Sequence, residues 1–288
     1  MTNQEKPTHI LPDLVEPVNR YLHVPLAAAV VTGLARTPVT PNQVTYVSIL
    51  FGLAAAWAFS RGNAGAMLAG GLLLEITLIL DCADGQLARA KNCSSEWGRL
   101  LDGIAGYIAY LAVVAGLLLG LGGHAMSLAT ISVFTILRAI SYDYCKHFMT
   151  SLVERGVDWS REDLLDTFHK IQEKPSGLAV VYFYYLQLQR LMFRGRFSSL
   201  KAFARKENVA AAETPLSPAD RATWRSKFRT LAPFWKWHGA DLVLFLFVLF
   251  AVTGTLEVFL EPMAWLLAIQ FVLTLAIHHI LIRHEAAA

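Results

Sequence analysis

Six apolar runs of about twenty residues set the terms for this chain. A run of that length has one low-cost conformation, a helix crossing a bilayer with its backbone hydrogen bonds satisfied internally. The runs fall at 42–60, 64–82, 100–121, 125–146, 240–260 and 262–282 of the 288 residues. Composition agrees: 16% of residues are charged, 55% are hydrophobic and the mean hydropathy is +0.44, whereas soluble domains are about a quarter charged. The expected fold class is all-α integral membrane, with six transmembrane helices, an N-terminal interfacial helix and a cytoplasmic helical insertion.

The ends of the runs carry helix-start and helix-stop chemistry. Thr40, Pro41 and Asn42 open the first span with a capping hydroxyl followed by proline. Arg61-Gly62-Asn63 closes it, three glycines (Gly120, Gly122, Gly123) separate the third span from the fourth, and Glu261-Pro262 separates the fifth from the sixth. Residues 14–35 are apolar but interrupted by Pro17 and Pro25, which predicts a helix lying in the interface; a short seventh span is the alternative. The segment 151–236 holds 15 of the 25 Lys and Arg residues and 83–99 holds three more, while the short connections 61–63, 120–124 and 259–262 contain only Arg61. The positive-inside rule then puts both termini, the 83–99 turn and 151–236 on the cytoplasmic side. The N-terminus shows no secretory signal. Cys82, Cys93 and Cys145 lack metal-ligand spacing and read as free thiols.

This divides the chain into 1–150 (interfacial helix, spans one to four and the site), 151–236 (the insertion) and 237–288 (spans five and six). Within the insertion, Ser160 with Asp163 predicts a capping box and Ser217-Pro218 with Asp220 a further helix start. Residues 177–196, GLAVVYFYYLQLQRLMFRGR, read as an interfacial helix against anionic lipid. ENVAAAETPLSPAD reads as a linker.

The chemistry concentrates where the second run ends, in DCADGQLARAKNCSSEWGRLLDGIAG. Asp81 and Asp84 are three residues apart and share a helix face, with Gly85 and Ala88 small enough to admit a ligand. After a turn within Lys91–Trp97, Gly98, Asp102 and Gly106 recur every four residues on one face of the returning helix. Two antiparallel helices would set Asp102 opposite Asp81 and Asp84. Three converging carboxylates repel one another, and hard oxygen ligands suit Mg²⁺ or Mn²⁺, ions that commonly bridge protein carboxylates and phosphates. The competing reading is a set of interfacial acids paired with Arg89, Lys91 and Arg99.

The pattern D-x-x-D-G-x-x-A-R, eight residues, then G-x-x-x-D resembles the CDP-alcohol phosphotransferase (CDP-alcohol phosphatidyltransferase) family, as does T-P-N-x-x-T at Thr40, Pro41, Asn42 and Thr45. The resemblance implies metal ligands at Asp81, Asp84 and Asp102, with Asp102 also the remaining catalytic carboxylate, and a nucleotide pocket lined by Gly85, Ala88, Arg89 and Gly98. It implies phosphatidyl transfer in phospholipid synthesis: a CDP-linked donor, CDP-diacylglycerol in the leading reading, meets a small polyol or lipid hydroxyl acceptor, and CMP leaves. It also implies a homodimer; no nucleic-acid partner is expected. The family pattern continues to a further aspartate, the usual base for the acceptor hydroxyl, at the position of Gly106. Three readings stay open: activity with another base, a silent nucleotide- or lipid-binding relative, and a substitution in an otherwise ordinary enzyme. A CDP-alcohol donor with a lipid acceptor is the alternative reaction. A transporter is the remaining class, but neither inverted repeats nor mid-membrane breaks are visible.

Other intramembrane polar groups are hypotheses by default. Arg138 would grip a phosphate of acceptor or donor, or pair with a site aspartate or Glu75. Glu75 would pair within the bundle or at a dimer contact. His278 and His279 read as interfacial, and Trp57, Trp235 and Trp237 as interface anchors.

Overall fold

The computed structural model describes residues 12–93, 96–207 and 215–283; the side chains of 12, 96–104, 205–207 and 283 lie outside that description. Every regular element among the described residues is a helix. They are α1 (Val24–Leu34), α2 (Pro41–Phe59), α3 (Ala64–Ala90), α4 (Glu96–Gly120), α5 (Ala125–Glu154), α6 (Trp159–Glu173), α7 (Gly177–Arg194), α8 (Leu200–Glu207), α9 (Pro218–Trp235), α10 (Ala240–Val252) and α11 (Leu256–Arg283). Five helical stretches are long and apolar enough to cross a membrane: Pro41–Phe59, Ala64–Ala90, Gly122–Glu154, Pro218–Val252 and Leu256–Ile282. The expected third span corresponds to α4, whose described apolar part, Ala105–Gly120, is shorter.

Two compact units are present. The first comprises 16–136 and 239–272. Its core is aliphatic with a few aromatics, built from Phe59, Leu74, Val113, Leu117, Leu128, Phe247 and neighbours. Burial of each such side chain contributes roughly 1.5–3 kcal/mol in water; inside a bilayer, close packing supplies the drive instead. Helix α4 meets α2 backbone to backbone. A Cβ added at Gly116 would stand 2.2 Å from the Ala56 carbonyl oxygen, and one at Gly120 would stand 2.0 Å from that of Phe59. Two glycines four apart therefore let the helices close.

The start of α2 follows the sequence. Thr40 caps it, accepting from the Gln43 N–H while the Gln43 side chain accepts from the Thr40 N–H, and Pro41 takes the first turn. Asn63 caps α3 in the same way through the Ala66 N–H. The expected break at Glu261-Pro262 is not where the helix stops. Pro262 lies inside α11, and the chain turns at Thr253–Thr255 around Gly254, whose φ is +69°. A glycine in the left-handed region ends a helix, whereas a proline only removes one internal hydrogen bond.

The second unit comprises, of the described residues, 12–15, 137–207, 215–238 and 273–283. Its core is aromatic: Tyr144 stacks on Phe193 at 4.2 Å between centroids, and Trp235 and Phe228 are fully buried beside them. Trp235 is thus a core residue and not an interface anchor, with its Nε1–H donating to His278 Nδ1 at 3.2 Å. His278, expected at the interface, is 2% exposed. Trp57 is exposed, with the Arg61 guanidinium over its ring. The cap of α6 is Asp158, which accepts from the Ser160 N–H; the expected box on Ser160 falls inside the first turn. Ser217 caps α9 as expected, accepting from the Asp220 N–H at 3.2 Å. Gly195, at φ +61°, closes α7. The central part of the expected linker, 208–214, lies outside the described residues.

Candidate functional site

Asp81 and Asp84 sit in the C-terminal half of α3, within the first unit. This part of the helix is fixed from below by apolar contacts: Ala83 and Leu87 pack with Ala27 of α1 and Val44 of α2. That packing orients the face carrying the aspartates. Asp84 is 4% exposed, and Thr45 donates its hydroxyl to Asp84 Oδ2 at 2.5 Å. The T-P-N-x-x-T stretch thereby acquires a physical purpose. Thr40 and Pro41 start α2 at a fixed residue, and Thr45, one turn further, reaches across to hold one carboxylate oxygen of the D-x-x-D pair.

Gly85 and Ala88 are half-buried on the same side, and Arg89 is exposed. The Arg89 guanidinium lies over Gly85, 3.5 Å from where a Cβ would stand. Lys91, a candidate partner for the aspartates, instead donates its ammonium to the carbonyls of Thr37 and Val39, at 2.7 Å each. It ties the end of α3 to the segment that leads into α2. Asn92, at φ 52°, turns the chain away from α3.

Asp102 and Gly98 belong to α4, but their side-chain surroundings lie outside the described residues. Among the described residues, no group of three His, Cys, Asp or Glu side chains is drawn together around a common point. The described part of the site is the pair on α3 with its Thr45 support. Hard oxygen donors of this kind fit a Mg²⁺- or Mn²⁺-type ion and do not fit a soft metal. Gly106 is exposed, and a Cβ built there would meet nothing within 4 Å among the described residues. The neighbouring Tyr107 is exposed.

Arg138 belongs to the second unit. It is fully buried, and its guanidinium donates to the Trp237 carbonyl. Glu75 pairs inside the first unit with His23, at 3.5 Å. Residue-by-residue reading missed this partner, because a histidine in an interrupted apolar segment carries no local signal.

The comparisons with known proteins agree with the motif. The family model described as CDP-alcohol phosphatidyltransferase matches residues 38–192. A bifunctional IPC transferase and DIPP synthase of Rubrobacter xylanophilus is 36% identical over 106 residues, 37% of this chain and 24% of that protein. An archaetidylinositol phosphate synthase of Pyrococcus horikoshii is 33% identical over 87 residues, 30% of this chain and 45% of that protein. A phosphatidylinositol phosphate synthase of Mycobacteroides abscessus is 32% identical over 124 residues, 41% of this chain and 53% of that protein. The chain thus spans between about a quarter and a half of the length of these relatives. No solved structure matches it. The family match covers more than half of the chain and includes the D-x-x-D-G-x-x-A-R stretch, so the chain belongs to the CDP-alcohol phosphatidyltransferase family.

Proposed function

We propose that the chain transfers a phosphatidyl group from CDP-diacylglycerol to a hydroxyl of a phosphorylated polyol, with release of CMP. The observation that carries this reading is the Asp81–Asp84 pair on one face of α3, with Thr45 fixing Asp84 at 2.5 Å, inside a family motif. Two relatives are named for inositol phosphate lipids, which supports inositol phosphate as the acceptor class. A CDP-alcohol donor with a lipid hydroxyl acceptor is the variant to be tested beside it.

In this reading Asp81, Asp84 and Asp102 hold the divalent cation. When bound, Mg²⁺ or Mn²⁺ neutralises the diphosphate and stabilises CMP as it leaves. Thr45 keeps one oxygen of Asp84 turned inward and restricts the carboxylate to one rotamer. Gly85 and Ala88 leave room for the cytidine phosphate beside the helix, and Arg89 and Gly98 line the nucleotide pocket. The acceptor oxygen attacks the phosphorus joined to the diacylglycerol, the bond to the CMP oxygen breaks, and the hydroxyl proton passes to Asp102, which stands in for the carboxylate that the family pattern places at residue 106. The site and both termini face the cytoplasm, six helices cross the membrane, and the functional unit is a homodimer.

The test is CMP release by the full chain in vesicles supplied with CDP-diacylglycerol and Mg²⁺. It uses inositol phosphate, glycerol phosphate and free inositol as acceptors, with a CDP-alcohol plus diacylglycerol arm. We expect Mg²⁺-dependent release with a phosphorylated polyol, lost in Asp84→Asn by about a hundredfold or more. No CMP in any arm would remove the transferase reading and leave a nucleotide- or lipid-binding relative.

A further inference from the structure

Helix α7 is apolar on two faces, and only one of them is used inside the second unit. Phe183 and Leu186 are buried against Leu164 and Phe168 of α6 and pack with Phe203 of α8. Val181, Tyr184, Leu188 and Leu191 follow one another at spacings of three and four and form the other face. Val181 is 67% exposed, Leu191 46% and Tyr184 40%, and Leu188 is half-buried. A helix on the surface of a water-soluble domain carries polar residues on that side. Among the described residues, α7 is not one of the stretches long and apolar enough to cross a membrane.

The apolar stripe continues past the end of the helix. Gly195 turns the chain at φ +61°, and Phe197 comes back to stack on Tyr184, with 6.3 Å between ring centroids. Gln187, which has no exposed surface, accepts the Ser198 N–H at 3.1 Å and so fixes this loop. Phe197 is nevertheless 54% exposed. A buried amide thus holds an aromatic side chain outward.

Charge identifies what covers this face. Residues 174–204 contain five basic residues (Lys174, Arg190, Arg194, Arg196, Lys201) and no Asp or Glu, whereas α6 carries four acids against two basic residues. Arg194 is committed to Asp158, while Lys174, Arg196 and Lys201 are exposed. Acids on α6 and bases on α7 and its following loop orient the unit toward a negative surface. Both ends of the segment run into apolar stretches, Gly122–Glu154 and Pro218–Val252. A bilayer is therefore present at high effective concentration, whereas a soluble partner must be recruited. We propose that α7 and the loop after it dock on anionic lipid headgroups: Val181, Tyr184, Leu188 and Leu191 enter the boundary with the acyl chains, Phe197 wedges beside them, and Arg196 and Lys201 meet lipid phosphates. Beyond the interfacial helix expected over 177–196, this gives a particular face, an aromatic wedge outside the helix and two phosphate-binding cations. The surface lies wholly in the second unit and stands independently of the transferase reading.

Hydrogen–deuterium exchange of residues 177–204 in the full chain tests it, in nanodiscs of phosphatidylcholine alone and with about 30% phosphatidylglycerol. Anionic lipid should slow exchange at 195–204 about tenfold or more in wild type. Near a charged surface each Lys or Arg contributes about fivefold, so Arg196→Gln combined with Lys201→Gln should remove most of that gain and leave exchange in phosphatidylcholine unchanged. Equal exchange in the two lipids, or an undiminished gain in the double variant, overturns the proposal. Protection that follows the number of chains per disc and not the lipid charge assigns the face to a second copy, and also overturns it. Depth gives a separate reading, with the exposed native thiol Cys93 replaced by serine. A nitroxide on Val181→Cys should be relaxed more by oxygen than by a water-soluble nickel complex, and one on Gln172→Cys of α6 the reverse. Equal access of the nickel complex to both positions overturns the docking.

Discussion

Helix α4 carries glycines in two opposite settings. At Gly116 and Gly120 a methyl group would collide with carbonyl oxygens of α2, 2.2 Å and 2.0 Å away. At Gly106, ten residues before Gly116 on the same helix, a methyl group would meet nothing within 4 Å among the described residues. The first two glycines are required by packing. No described residue requires the third, although glycine within a helix is disfavoured by roughly 1 kcal/mol relative to alanine. Among the described residues, space does not explain the glycine at 106, where the family resemblance expects a carboxylate. The difference separates packing from chemistry: the α2–α4 contact requires its two glycines, while residue 106 is where the family resemblance expects a carboxylate.

Substitutions on either side of this contrast should differ in kind. Gly116→Val should have the largest effect. The obstacle is backbone, which cannot rotate away, so a loss of about 3 kcal/mol or more is expected, read as reduced folded yield and a lower Tm in detergent. A normal Tm would show that α2 and α4 are not in backbone contact. Gly106→Asp should leave Tm within a few degrees and raise CMP release about a hundredfold, the scale of a positioned general base. Thr45→Val should lower transfer about tenfold with little change in Tm, since it removes one hydrogen bond to a charged group, worth about 1.5 kcal/mol; an unchanged rate would show that Asp84 is held by other groups. Gly106→Ala should do least: unchanged activity and a Tm equal or slightly higher. A drop in Tm would mean that Gly106 is a packing glycine after all.

Much of this was legible in the sequence because its signals are local. The cap at Thr40 and Pro41, the helical spacing of Asp81 and Asp84, and the turn after Lys91 are each determined by residues within a few positions. What was not legible depends on distant partners. Thr45 was visible as part of a helix start, but its bond to Asp84 joins residues 39 positions apart. Trp235 and His278 looked like residues for a membrane edge, yet they bury each other in an aromatic core. The turn between the last two helices was misplaced for a related reason. Pro262 is the louder signal, but Gly254 takes the conformation that ends α10. A partner for Glu75 within the bundle was expected, but its identity as His23 could not be read, because each residue alone looks like an isolated polar group in an apolar run.

The most direct measurement is a Mg²⁺ titration of CMP release by wild type and Gly106→Asp, side by side in the same vesicles with CDP-diacylglycerol and inositol phosphate. If residue 106 is a vacated ligand and base in an intact site, the variant should reach a higher maximal rate and do so at about tenfold lower Mg²⁺. Superimposed curves would contradict this, and would place the base, and the remainder of the metal site, on other residues.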